Sequence, residues 1–122
     1  MLKKSFLPLK SMQKKLNVKA LVLFNRNEGV IDKIGSESIV NALIKSNLMI
    51  VIDSEIAMPI RLSGNQEIYE MVLYNNRGFV AKEGRSNRYL IALKIDSDNV
   101  LAAIGDDLDP GIVLFEMISF NE

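Results

Sequence analysis

Apolar residues at Leu2, Phe6, Leu9, Met12 and Leu16 recur at three- and four-residue steps, the stripe of an amphipathic helix that must dock on another surface. Pro8 interrupts the stripe, so this helix is either kinked or begins near Leu9. Residues 18–24 are then rich in β-branched and large apolar side chains. The turn formers Asn25, Arg26, Asn27, Glu28 and Gly29 separate them from a second such run at 30–34, which predicts a hairpin ending at Gly35. Ser36 and Ser38 offer N-cap hydroxyls for a helix that follows.

From 39 to 52 the chain is apolar on more than one helical face: Ile39, Val40, Leu43, Ile44, Leu48, Met49, Ile50, Val51 and Ile52. One sheet face does not cover so wide a stripe, so a second buried surface is implied, either elsewhere in the subunit or on a partner chain. A single long helix ending before Pro59 is the expectation, with a buried strand over 48–52 as the alternative. Residues 67–74, 79–83 and 88–95 alternate or run apolar and are separated by the turns 75–78 and 84–87, which reads as a three-stranded meander. Asp96, Ser97, Asp98 and Asn99 form a turn and N-cap cluster, from which a helix over 100–104 is predicted, weakened or ended by Gly105. After Asp109, Pro110 and Gly111, the segment 112–120 is a further helix with Pro near its start, or a final strand.

Composition narrows the function. The chain has 122 residues, 48 % apolar and 25 % charged, a globular profile that fits one domain over 1–122. It contains neither Cys nor His, which removes disulfide frameworks, zinc clusters and thiol or imidazole catalysis. Its net charge of zero conceals an uneven spread. Residues 1–27 hold Lys3, Lys4, Lys10, Lys14, Lys15, Lys19 and Arg26 and no acid, whereas 95–122 hold Asp96, Asp98, Asp106, Asp107, Asp109, Glu116 and Glu122 and no base. The plainer reading is that the two ends lie together with complementary charge. The sharper one is peripheral contact of Lys3, Lys4 and Lys10 with an anionic membrane. The lysines lack interleaved aromatics, and no nucleic-acid partner is expected. No run approaches the roughly 18 apolar residues that span a bilayer, and 1–15 lack the features of a signal peptide, so a cytoplasmic location is the expectation.

Candidate chemistry is sparse. Asp106, Asp107 and Asp109 offer hard-cation ligands, but without the alternating acids, central Gly and distal Glu of a calcium loop they read as a solvated helix end or loop. Arg77, Lys82, Arg85 and Arg88 surround the meander turns as an anion patch, although charged hairpin tips also keep strands soluble. No phosphate-binding glycine loop is present, no carboxylate pair stands out, and no cofactor or resident metal is implied.

The order helix, hairpin, helix, meander, helix resembles the roadblock/dynein light chain family. The docking helix leads directly into NVKALVLFNRNEGVIDKIG, a long apolar helix follows SES, and RYLIALKIDSDN precedes the last helix. The resemblance covers about residues 9–105. It implies an α+β fold of order α-β-β-α-β-β-β-α, a five-stranded antiparallel sheet sandwiched by helices. Residues 1–8 would be a basic extension and 106–122 an acidic one, an extra element because Gly105 and Pro110-Gly111 divide the last helix. It also implies a homodimer or heterodimer whose seam, where the long second helix and third strand of each subunit meet, includes Ile39, Leu43, Ile50, Tyr69 and Met71. Members of that family, and the related longin-like domains, are non-enzymatic platforms for small Ras-like GTPases and signalling or transport partners. A sensor of small anionic ligands built on Arg77, Arg85 and Arg88, and a peripheral membrane adaptor, are the alternatives.

Overall fold

Pro8 sets the start of the first helix. In the computed structural model, which describes residues 8–54, 60–61, 68–74, 78–83 and 87–121, Pro8 is the N-cap of α1 (Leu9–Leu16), and its carbonyl accepts the Met12 amide at 2.9 Å. Leu9, Met12 and Leu16 form the buried stripe, and Asn17 ends the helix in the left-handed conformation that Asn tolerates. The hairpin follows as β1 (Ala20–Asn25) and β2 (Gly29–Gly35), paired antiparallel with an irregularity beside Leu23 and Phe24. Gly35 is required by its surroundings: its φ is +118°, and a Cβ there would lie 2.2 Å from the Lys19 carbonyl oxygen.

The apolar stretch 39–52 is not one helix. It forms α2 (Glu37–Ile44) and α3 (Leu48–Ser54), broken where the Ser46 hydroxyl donates to the Leu43 carbonyl (2.6 Å) and accepts from the Leu48 amide (3.3 Å). One serine thus caps the end of one helix and the start of the next, competing with the helical ladder for the same backbone groups. The break changes the direction in which the apolar residues point. Val40, Leu43, Leu48, Val51 and Ile52 all reach the same sheet face, so most of the wide stripe is absorbed within the subunit, while Ile50 stays exposed.

After β3 (Ile60–Arg61) come the meander strands β4 (Ile68–Tyr74), β5 (Gly78–Glu83) and β6 (Arg88–Lys94), close to their expected bounds. The segment 100–104 departs from expectation: it lies in a strand, β7 (Asn99–Asp106). The acids before it make a hairpin turn instead of a helix cap, with Asp96 Oδ1 accepting the amides of Asp98 and Asn99, both at 2.9 Å. Val100, Ala102 and Ile104 face one side of the sheet and Leu101 and Ala103 the other, each covered by helices. A strand buried on both faces has no polar alternation to reveal it. The last element is α4 (Pro110–Asn121), the helical option for that segment.

The fold is α+β. A single antiparallel sheet of order β2-β1-β7-β6-β5-β4-β3 holds the five expected strands and adds β3 at one edge and β7 in its interior, between β1 and β6. The α2 and α3 helices cover one face over Val22, Phe24, Leu90, Ala102 and Ile104, while α1 and α4 cover the other over Leu21, Leu23, Ile91, Leu93 and Leu101. The basic start and acidic end therefore do meet. Lys15 Nζ lies 3.4 Å from Glu116 and 5.3 Å from the centre of the Phe120 ring, and Lys19 lies 2.7 Å from Asp106. Exposed pairs of this kind add little stability and mainly set which surfaces face each other.

Candidate functional site

The fourth helix is apolar all round. Val113, Leu114 and Met117 are buried against the β5 and β6 side of the sheet, yet Ile112 and Phe115 on the opposite face remain 60 % and 69 % exposed. The helix starts cleanly, with Pro110 in its first turn and Asp109 Oδ1 accepting the Ile112 amide at 3.2 Å. A surface helix normally turns a polar face to water, so two large apolar side chains one turn apart mark a candidate contact surface. The sequence signal for it is the near absence of polar residues over 112–120, where only Glu116 and Ser119 interrupt.

The second feature lies on the opposite side of the sheet. A hollow of about 400 Å³ opens between the β1–β2 turn and the junction of α2 with α3. The half-buried Val30, Ile44 and Met49 line it over the buried Phe24, Leu43 and Leu48, and Arg26 and Asp53 stand at its rim. Arg26 ties three elements together. Its amide donates to the Asp98 carbonyl at 2.7 Å, its Nε to the Ser97 carbonyl at 3.2 Å, and its Nη1 to Asp53. The Asp53 carboxylate, and Asp98 more weakly, raises the Arg26 pKa above its ordinary value. Asn25 Nδ2 donates to Asn99 Oδ1 at 2.9 Å, so both hairpin tips at this end are locked.

Three residues of the expected dimer seam have described side chains. Leu43 is fully buried in the subunit's own core, Ile39 is half-buried against it, and Ile50 is exposed on α3. Leu43 is thus unavailable to a partner in this conformation, because it lies on the face of α2 packed onto the sheet. Tyr69 and Met71 lie in β4, in register with Glu83 and Ala81 of β5, and their side chains are outside the described residues. Of the expected anion patch, Arg77 and Arg85 also lie outside the described residues, and Lys82 is half-buried. Arg88 is engaged with Asp106, its Nε donating to Oδ1 at 2.9 Å. Lys3 and Lys4 are outside the described residues, and Lys10 is exposed on α1.

The three acids at the end of β7 and just after it take different roles. Asp106 accepts Arg88 and pairs with Lys19, and these two cations, Arg88 foremost, hold its carboxyl below the usual range against a weaker opposing effect of burial. Asp107 has a φ of 56°, and Asp109 caps α4. Among the described residues no group of three acids comes together to hold a metal ion, and no helix is long and apolar enough to cross a membrane.

No protein-family model matches the chain, and comparison with curated proteins gives no match. Solved structures do match it. LokiProfilin1 is similar at 13 % identity with a TM-score of 0.71, over 93 % of this chain and 88 % of that one. The LokiProfilin1/rabbit actin complex matches with a TM-score of 0.70 and 13 % identity, over 99 % and 93 %. Myxococcus xanthus MglB, a roadblock/longin-fold protein, is similar at 17 % identity with a TM-score of 0.52, over 99 % and 87 %. At these identities the likeness is one of fold.

Proposed function

We propose that this chain is a non-enzymatic docking domain whose outer α4 face binds an actin-type protein. The observation that carries this reading is the exposed pair Ile112 and Phe115 on a helix whose buried side is already satisfied by the sheet. Large apolar side chains held on a rigid element lose little entropy on binding and serve as anchors at protein interfaces. The actin choice is supported by a fold matched over 99 % of the chain by a structure described as a complex with rabbit actin.

The test is spontaneous assembly of pyrene-labelled rabbit muscle actin with this protein in excess. The native protein is expected to slow nucleation, and Phe115→Glu to lose at least about tenfold in apparent affinity, as for a hot-spot residue. Equal assembly curves with and without the native protein refute the reading.

A second reading, a roadblock-type platform for a small Ras-like GTPase acting as a homodimer or heterodimer in the cytoplasm, is favoured by the likeness to MglB. Retention of a small GTPase in one nucleotide state, by tagged protein in lysate supplemented with GDP or a non-hydrolysable GTP analogue, supports it. Retention that survives Phe115→Glu separates that surface from the α4 face.

A further inference from the structure

The hollow at the α2–α3 junction lies on the face of the sheet opposite α4, and docking through α4 leaves it unused. Its accessible lining is apolar, with the half-buried Val30, Ile44 and Met49 backed by the buried Phe24, Leu43 and Leu48. Its volume of about 400 Å³ falls within the range of small-ligand sites, roughly 300–1,000 Å³. At the rim stands one cation beside one anion, Arg26 and Asp53, with 39 % and 47 % of their side chains exposed and hence reachable from solvent.

That combination selects a ligand class. A simple anion that approaches Arg26 also meets Asp53, and a simple cation meets the reverse, so neither is concentrated by a rim of zero net charge. A dipolar head finds both partners at once. We propose that this hollow binds a free apolar α-amino acid, the carboxylate on the Arg26 guanidinium, the ammonium on Asp53 and the side chain against Val30, Ile44 and Met49. Binding exchanges one ion pair within the protein for two charge-assisted pairs with the ligand. Arg26 keeps its place during the exchange, because its amide and Nε are anchored on the Asp98 and Ser97 carbonyls independently of Asp53. Its remaining guanidinium N–H groups offer the planar fork that suits a carboxylate. Ligand binding would also bridge the hairpin turn to α3 through a small molecule in place of a direct contact.

The experiment is titration of the intact ¹⁵N-labelled protein with L-leucine and L-phenylalanine, read by amide shifts. Glycine, N-acetyl-leucine and leucinamide serve as controls. Saturable shifts centred on Arg26, Ser46, Met49 and Asp53 are expected for the two apolar amino acids. Affinity at least about tenfold weaker is expected for each control, because each lacks the side chain, the ammonium or the carboxylate. Asp53→Asn is expected to weaken L-leucine at least tenfold while the rest of the spectrum stays in place. Arg26→Ala serves as a second variant, accepted only if its melting temperature is retained. Absence of saturable shifts with either amino acid overturns the proposal. So do equal affinities for leucine, N-acetyl-leucine and leucinamide, which would mark the hollow as a seat for any apolar group, such as a partner's side chain. None of these results depends on whether actin binds α4.

Discussion

Truncating Leu43 distinguishes a residue of the subunit's own core from a residue of a dimer seam. Its side chain has no measurable exposure and belongs to the cluster formed by α2, α3 and the sheet face beneath them. Leu43→Ala removes buried methyl groups from a site whose surroundings are two short helices and a sheet, which relax only in part. The cost is expected to be about 3–4 kcal/mol, the middle of the range for such truncations. With a urea dependence of about 1.5 kcal/mol per molar, the unfolding midpoint falls by about 2 M. Ile50→Ala on the exposed side of α3 is the internal control, since substitutions at exposed positions usually stay within about 0.5 kcal/mol. Unfolding is followed by far-UV circular dichroism at two protein concentrations a hundredfold apart. For a core residue the Leu43→Ala deficit is the same at both, whereas a fold held together by dimerisation gains about 2.7 kcal/mol from a hundredfold increase in concentration. The reasoning is refuted if Leu43→Ala unfolds within about 0.5 kcal/mol of the native protein, or if the native midpoint slides with dilution and this substitution abolishes the slide.

Gly35→Ala should destabilise by about 2 kcal/mol or more, because a backbone already at φ +118° would also drive a Cβ into the Lys19 carbonyl. Gly29→Ala, at φ +83° in open space, should lose only about 1 kcal/mol in the same thermal or urea measurement. Asp106→Asn removes the negative charge shared by Lys19 and Arg88 and should lower stability at pH 7 by about 1 kcal/mol or less, given its partial exposure. The carboxyl is held below its unfolded value of about 3.9, so the unfolded chain binds more protons as pH falls through that region. The stabilisation is therefore full above about pH 4 and is lost on acidification, and native and Asp106→Asn unfolding midpoints should converge there. Ser46→Ala should cost about 1 kcal/mol by removing the hydroxyl that serves both α2 and α3, which amide exchange at Leu48 would report as loss of protection.

The elements most legible in the sequence were those with their own punctuation. Asn25 to Gly29 marked the hairpin turn, Gly78 the return of the meander, and Pro8 the start of α1. Two misreadings share a cause. Residues 39–52 are apolar on more than one helical face and 99–106 are buried on both faces of a strand, so periodicity carried little information about their geometry. In the first, a single hydroxyl at Ser46 divided the helix. In the second, an Asp96 turn that also resembles a helix cap led into an interior strand. The pairing of β1 with β7 joins residues far apart in the chain, Ala20 with Ile104 and Phe24 with Val100, and no local pattern encodes it. The α4 face was partly visible as an apolar segment, but its exposure follows only from where the sheet lies. The Arg26–Asp53 rim was invisible for the same reason.

Because β7 is the last strand to be synthesised yet lies inside the sheet, the ribosome delivers the two halves of the sheet before the strand that joins them. The β1–β2 hairpin is complete once residues 20–35 have emerged, but the inner edge of β1 waits for residues 99–106. Until then Leu21, Val22 and Leu23 sit on an open strand edge, the arrangement most prone to pairing with other chains. Closing the sheet also requires loops of long sequence separation, which favours slow folding. A nascent chain stalled before Asn99 is expected to recruit holding chaperones. Release of β7 then commits both halves of the sheet together.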